Sequence, residues 1–173
     1  MSANRVDKYL QAGIGLLLAV LAFVIVDGFR EKVVNVGDRA PDFSITTDAG
    51  RVVTRSDFGG KLLVLNFWAT WCPPCVAEMP SLDEFQKRLA SSGVVVLGVS
   101  VDQSESDYRA FLEKARVSFL TARDPSAGIS GEYGTFKFPE TYVIDSRGRV
   151  VQKHIGPEDW TRESLIQGIH SLL

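Results

Sequence analysis

The sequence predicts an α/β fold in which helices flank a mixed central sheet. Apolar runs typical of buried strands alternate with segments of helical periodicity, a pattern that indicates parallel pairing. The last two strand-like segments, residues 141–145 and 150–155, are instead joined by the short turn Ser146-Arg147-Gly148. That turn predicts an antiparallel hairpin at the end of the sheet.

The first thirty residues differ from the rest of the chain. No charge occurs from Leu10 to Val26, and the span from Tyr9 to Phe29 counts 29 − 9 + 1 = 21 residues. About 20 residues cross a bilayer as a helix. The run ends in bulky side chains and lacks a small-residue cleavage site, which argues against a cleaved signal peptide. We therefore predict an uncleaved, single-pass signal-anchor.

The predicted anchor divides the chain into four parts. They are a short cytoplasmic tail (1–8), a transmembrane helix (9–29), a linker (30–35) and a folded domain (36–173). Lys and Arg counts on the two sides of the span orient it only weakly. A tethered redox domain has its use where disulfides are made and broken, so we expect it on the periplasmic, extracytoplasmic side of the inner membrane.

The folded domain is predicted to begin with a β-hairpin and to continue as alternating strands and helices. The predicted elements, in chain order, are strands 41–46 and 51–54, strand 62–65, a helix after Cys72, strand 94–101, helix 104–116, strand 117–122, a helical turn at 129–133, strands 141–145 and 150–155, and helix 161–173. The formal net charge of −2 and the absence of a basic run argue against nucleic acid as a partner.

The two cysteines of the chain stand at the predicted junction of strand and helix. Cys72 comes just before the helix and Cys75 falls in its first turn. The helix dipole and its free N–H groups favour a thiolate at Cys72, and such cysteines have pKa values of roughly 3.5–7.5. Because Pro73 precedes another proline, we expect the helix to begin at Pro74. The arrangement predicts thiol–disulfide exchange, with Cys72 attacking and Cys75 resolving.

Two other readings of the dithiol are weaker. A structural disulfide across two residues closes too small a loop to contribute much loop entropy. A metal site needs further ligands, and the chain offers only His154 and His170, neither in a ligand pattern. We therefore expect no metal and no cofactor.

Two motifs together resemble a known family. Phe67 to Cys75, followed by Glu78 and Pro80, and later Phe138 to Asp145, are similar to the membrane-anchored thioredoxin-like proteins of the TlpA, ResA and DsbE (CcmG) group. The resemblance covers about residues 36–173. It implies a thioredoxin-like fold with an additional βα unit between the dithiol helix and the proline strand, where 139 − 75 = 64 positions separate Cys75 from Pro139.

Four residues near the dithiol are candidate substrate contacts, and the resemblance implies the first two. Pro139 matches the cis-proline of the family, which would present the backbone of Phe138 to a substrate strand. Trp71 either offers substrate a flat surface beside Cys72 or packs against the domain. Glu140 either meets the substrate or is a solvated strand residue.

Glu78 and Asn66 are the polar candidates beneath the dithiol. Glu78 follows Cys75 by three positions and so shares its side of the helix. Partial burial would raise the pKa of its carboxyl and let it exchange protons with a thiol; the alternative is an exposed Glu near the helix N-terminus. Asn66 takes the place of the buried Asp of cytoplasmic thioredoxins and cannot accept a proton, or it simply satisfies a backbone group.

The partners implied by the family are proteins. Its members reduce disulfides outside the cytoplasm, often those of the haem-attachment cysteines of apocytochrome c, during cytochrome c maturation. They receive electrons from a membrane protein of the DsbD or CcdA type. We expect the chain itself to be a membrane-anchored monomer.

Three further activities remain alternatives. Residues 37–43 also resemble the start of peroxiredoxins, but Ala69 stands where those peroxidases carry a threonine. Copper modules of the two-cysteine type usually separate their cysteines by three residues rather than two. A general disulfide oxidant or isomerase stays open, because direction depends on potential relative to the partners.

Overall fold

The computed structural model describes residues 3–28 and 33–173. Helix α1 comprises Ala3–Gly28. Among the described residues, no helix is long and apolar enough to cross a membrane. The anchor predicted over residues 9–29 stays a prediction. Its last residue lies outside the described residues, as do residues 1–2 of the predicted tail and residues 30–32 of the predicted linker.

Residues 33–173 form a compact unit of strands and helices. In chain order its elements are β1 (Ser44–Thr46), β2 (Val52–Thr54), β3 (Leu62–Trp68), α2 (Pro73–Leu89), β4 (Val94–Ser100), α3 (Glu105–Ala115), β5 (Leu120–Arg123), α4 (Gly128–Glu132), β6 (Glu140–Ile144), β7 (Val150–Ile155) and α5 (Glu163–His170).

The central sheet is mixed, as the sequence predicts. Its strand order is β5-β4-β3-β6-β7, with β3 in the middle. Strands β3, β4 and β5 run parallel, whereas β6 pairs antiparallel with both β3 and β7. Strands β1 and β2 form the separate N-terminal hairpin. The elements β4, α3, β5 and α4 lie between the dithiol helix and β6, which fits the expected additional βα unit, and the thioredoxin-like fold is confirmed.

Successive side chains of β3 enter two different cores, as strand periodicity requires. Leu62, Val64 and Trp68 pack under residues of α2, α3 and α5. Leu63, Leu65 and Phe67 pack on the opposite face against the N-terminal hairpin and the region of α4. Asn66 has the parity of Val64 and Trp68. It therefore faces the layer that holds the dithiol helix.

Candidate active site

The dithiol sits where β3 gives way to α2. Cys72 is the N-cap residue of α2, and Cys75 lies in its first turn. The two sulfurs are bonded to each other, and their Cα atoms are 5.3 Å apart. Cys72 keeps 5% of its surface exposed, whereas Cys75 is fully buried. Only Cys72 is open to a partner, which is the asymmetry that an attacking and a resolving thiol need.

One backbone donor reaches the sulfur of Cys72 from the helix. The N–H of Cys75 donates to Cys72 Sγ over 3.3 Å. Pro73 and Pro74 fill the first two helical positions and have no N–H to offer. The prediction that the helix begins at Pro74 is wrong, since it begins at Pro73. The ring of Pro74 disfavours helical geometry before it, but the first helical position already suits the fixed φ of proline.

A buried carboxylate holds the loop that leads into Cys72. Asp102 is 2% exposed and follows β4. It accepts hydrogen bonds from the backbone N–H and hydroxyl of Thr70, at 2.9 and 2.6 Å, and from the hydroxyl of Ser100 at 2.6 Å. Sequence analysis missed this residue. Its role is to fix the backbone two positions before the reactive cysteine.

The segment before β6 lies beside the dithiol loop. The Phe138–Pro139 peptide bond is cis, as the resemblance implies. The ring of Phe138 meets that of Trp71 edge-on, with centroids 6.0 Å apart. Trp71 is 63% exposed and so presents a flat surface, although it also packs against Phe138. The substrate contacts predicted for Trp71, Phe138 and Pro139 stay predictions.

The carboxyl of Glu78 is buried one helical turn beyond Cys75. Its Oε1 accepts from Asn66 Nδ2 at 2.8 Å, and its Oε2 accepts from the Glu158 N–H at 3.0 Å and Trp160 Nε1 at 3.4 Å. Burial raises the pKa of Glu78 above its ordinary value, and the nearby charge of Glu158 adds to this, while the three donors oppose it. The expected burial is observed, and the exposed alternative is wrong.

Asn66, on β3, is one of the hydrogen-bond partners of Glu78. Its Nδ2 also donates to Thr141 Oγ1 at 2.9 Å, across the register pair that joins β3 to β6. The interpretation that Asn66 satisfies a backbone group is therefore wrong. Both amide hydrogens of Asn66 are donated to side chains, because the alternation of side chains along β3 directs Asn66 into the layer between the central sheet and α2.

Glu140 is neither solvated nor free. It is 3% exposed, its carboxylate lies 2.9 Å from Lys153 Nζ, and it accepts from the hydroxyl of Tyr142 at 2.9 Å. The solvated alternative is wrong, because strand alternation places Glu140 with Tyr142 on the face away from α2. The carboxylate is engaged inside the domain, and a substrate contact at this residue stays a prediction.

Besides Asp102, three residues of this site escaped the sequence analysis. Glu158 and Trp160 belong to the loop between β7 and α5, and Thr141 is the second residue of β6. Trp160 is fully buried and packs edge-on against Phe85 of α2, with centroids 5.4 Å apart. No local pattern marks Glu158 or Trp160, since they meet Glu78 only through tertiary packing.

Comparison with known proteins agrees with this geometry. Residues 36–153 match the AhpC/TSA family. The chain is 33% identical over 153 residues to the thiol-disulfide oxidoreductase ResA of Bacillus cereus, with 87% of each chain covered. It is 36% identical over 151 residues to the thioredoxin-like protein YneN of Bacillus subtilis, covering 84% of this chain and 88% of the relative.

Solved structures show the same fold. A Chlorobium tepidum protein provisionally assigned as a thiol:disulfide interchange protein DsbE superposes with a TM-score of 0.75 at 33% identity, over 80% of this chain and 98% of its own. The exposed lipoprotein thioredoxin Etrx1 of Streptococcus pneumoniae superposes with a TM-score of 0.67 at 30% identity, over 76% of this chain and all of its own.

Proposed function

The chain belongs to the AhpC/TSA family and is a thiol-disulfide oxidoreductase, and we propose that it works as a reductant of protein disulfides outside the cytoplasm. Cys72 attacks the substrate disulfide and forms a mixed disulfide. Cys75 then displaces the reduced substrate and closes the Cys72–Cys75 bond. Two electrons pass to the substrate in each cycle, and the chain is left oxidised.

The proposal that the chain reduces its substrate, and does not oxidise it, rests on the small number of hydrogen-bond donors around Cys72 Sγ. A dithiol becomes a strong oxidant when its reduced form is stabilised. Here, among the described residues, the sulfur has one hydrogen-bond donor, the Cys75 N–H. Pro73 and Pro74 remove the two other N–H groups of the first turn. A thiolate with so little support favours the disulfide form of the chain, which makes its dithiol reducing.

Equilibration with a glutathione buffer would test this direction. We expect a potential nearer to the roughly −270 mV of thioredoxin than to the roughly −120 mV of a strong oxidant. Pro74→Ala restores the N–H at the second helical position, which can reach an N-cap side chain. It should make the potential less negative by on the order of 30 mV, or tenfold in the equilibrium constant.

Pro73→Ala is the matched control for that experiment. It restores the N–H of the first helical position, which does not reach the N-cap side chain, so the potential should stay unchanged. A wild-type potential near that of a strong oxidant would assign the chain to disulfide formation instead.

We propose apocytochrome c as the substrate and a membrane protein of the DsbD or CcdA type as the electron donor. Haem-attachment cysteines occur as Cys-x-x-Cys-His, and their disulfide must be reduced before haem is attached. The chain has two cysteines in total, so each turnover exhausts its dithiol and another dithiol must restore it. The reduced chain should reduce an oxidised Cys-x-x-Cys-His peptide faster than a disulfide peptide of the same spacing and unrelated sequence. Equal rates would speak for a general reductant.

The proposed location rests on the uncharged run from Leu10 to Val26, which suits a single-pass anchor with the catalytic domain on the periplasmic side. A reporter fused after Leu173 that is active only outside the cytoplasm is the expected result. Activity only in the cytoplasm would overturn the location. A mature protein beginning near Asp27 would show that the segment is cleaved rather than kept as an anchor.

A further inference from the structure

Asn66 carries a polar atom that the observed hydrogen bonds leave unused. Its Nδ2 donates to Glu78 Oε1 and Thr141 Oγ1, which uses both amide hydrogens. Its Oδ1 is buried and has no hydrogen-bond partner among the described residues. Buried acceptors are rarely left without a donor. The oxygen is therefore available to accept from a donor that appears beside the amide.

The bonds of Glu78 show which arrangement is observed. Its carboxyl accepts from Asn66, Glu158 and Trp160 and donates to none of them, which is the pattern of an ionised carboxylate. Oε2 already has two donors, whereas Oε1 has one. An added proton therefore belongs on Oε1, where it would face the Asn66 amide hydrogens, donor against donor.

We propose that the side-chain amide of Asn66 reverses when Glu78 takes up a proton. A half-turn about χ2 exchanges Oδ1 and Nδ2, which are close in size. The reversed Oδ1 accepts from the Glu78 carboxyl O–H and from the Thr141 hydroxyl, both of which can donate. Asn66 makes two hydrogen bonds before and two after, while its unpaired atoms change from Oδ1 to the two N–H groups. Glu78 keeps the same buried partner in both protonation states.

Asn66 is thus a positioning residue for the proton exchange with a thiol that the sequence predicts for Glu78, and the inference rests on that prediction. Among the described residues, the charge that acts on Glu78 is that of Glu158, in the loop before α5. The Glu158 carboxylate pairs with His154 and Arg162. From β3 and β6 come only the neutral Asn66 and Thr141. In the disulfide form the cysteines do not titrate, so there a proton taken up at this position is held by Glu78.

A pH titration of the oxidised, full-length protein by NMR tests the reversal. The probe is the pair of Asn66 side-chain amide proton resonances. We expect both to move together to the positions of free amide protons as Glu78 protonates, because the reversed N–H groups lose both acceptors. Movement of the proton facing Glu78 alone, with the one facing Thr141 unchanged, would mean that the amide keeps its orientation and would overturn the proposal.

Asn66→Leu provides a second, independent measurement. It deletes the partner of Glu78 in both states, so the pKa of Glu78, read from its side-chain 13C resonance, should move by less than about half a unit. If Asn66 served only the ionised form, losing that charge-assisted bond would raise this pKa by about one unit or more, which would overturn the inference.

Thr141→Val is the packing control, and should leave the pKa of Glu78 near its wild-type value while Asn66 stays bonded to it. If Asn66→Leu does not fold, the wild-type titration alone decides. Both measurements use the disulfide form without substrate. Their failure would therefore leave the direction of exchange, tested by the reduction potential, standing.

Discussion

The backbone N–H of Glu158 donates to Oε2 of Glu78 over 3.0 Å and so joins the loop before α5 to the dithiol helix across 80 positions of sequence. Burial raises the pKa of Glu78, this N–H opposes that rise, and the negative charge of the Glu158 side chain adds a smaller increase. The carboxyl lies one turn beyond Cys75. Its protonation state therefore bears on how readily Cys75 becomes a thiolate.

Glu78→Gln should change the pH profile of thiol exchange. An ionised Glu78 opposes the Cys75 thiolate, so its removal should lower the pKa of Cys75 by on the order of one unit. The measurement is the rate of reaction of the reduced protein with a small disulfide between about pH 5 and about pH 10. Because the two groups are coupled, the inflections belong to the pair.

Glu84→Gln is the matched control for that profile, since Glu84 is exposed on the same helix. It should reproduce the wild-type curve. If Glu78→Gln also superimposes on wild type, Glu78 has no part in proton exchange, and water would have to carry the proton.

The stability of the oxidised protein should depend on pH through Glu78. Burial raises its pKa in the folded state above the ordinary value of 4.5. The raised pKa contributes to the free energy of unfolding. This contribution is fully present below the pKa of Glu78 in the unfolded chain and is lost as pH rises through its pKa in the folded protein. The loss amounts to about 1.4 kcal/mol for each pH unit between the two pKa values. Glu78→Gln should lack this loss. Urea unfolding at several pH values measures it, and parallel curves for the two proteins would contradict it.

The two cysteines should behave differently when each is replaced by serine. Cys72 is the partly exposed N-cap residue and Cys75 is fully buried. Cys75→Ser should therefore accumulate a mixed disulfide with substrate through Cys72, whereas Cys72→Ser should accumulate none. Non-reducing electrophoresis followed by mass spectrometry identifies the linked sulfur. The reverse pattern would exchange the roles of the two residues.

Lys153→Met should destabilise the domain more than loss of a surface ion pair does. It leaves the Glu140 carboxylate buried without its cation, which costs about 3–5 kcal/mol in such cases. Replacing both residues, as Glu140→Leu with Lys153→Met, should recover much of that loss. Arg109→Met, which breaks the exposed pair with Glu105, should cost only about 0–1 kcal/mol. Equal losses of stability in Lys153→Met and Arg109→Met would show that the buried ion pair contributes no more to stability than the exposed one.

The sequence was sufficient for the fold and for the dithiol because both depend on local patterns. Alternating periodicities predicted the mixed sheet, and the β3–α2 junction followed from the apolar run 62–65 before the cysteines and the helical spacing after them. Boundaries were less accurate. Strand β3 continues to Trp68 rather than ending at residue 65, because Asn66 finds polar partners inside the core.

The remainder of the site depends on contacts between distant segments. Nothing near Trp160 indicates that its indole N–H reaches Glu78, 82 positions away. Glu140 shows the same limit, since its partner Lys153 lies on a different strand. The alternation of side chains along a strand could have predicted that Glu140 and Thr141 face opposite layers, because neighbouring residues of one strand do so. That signal requires the strand register, which pairing with β3 and β7 provides.

The exposure of Trp71 gives the molecule an optical property. Of its three tryptophans, all within the described residues, Trp68 and Trp160 are fully buried and Trp71 is 63% exposed beside Cys72. A collisional quencher such as iodide reaches only the exposed indole, so the quenchable part of the emission belongs to Trp71. An adjacent disulfide itself quenches indole fluorescence by electron transfer. The emission of Trp71 therefore rises when the Cys72–Cys75 bond is reduced, so turnover can be followed by the protein's own fluorescence without an attached label.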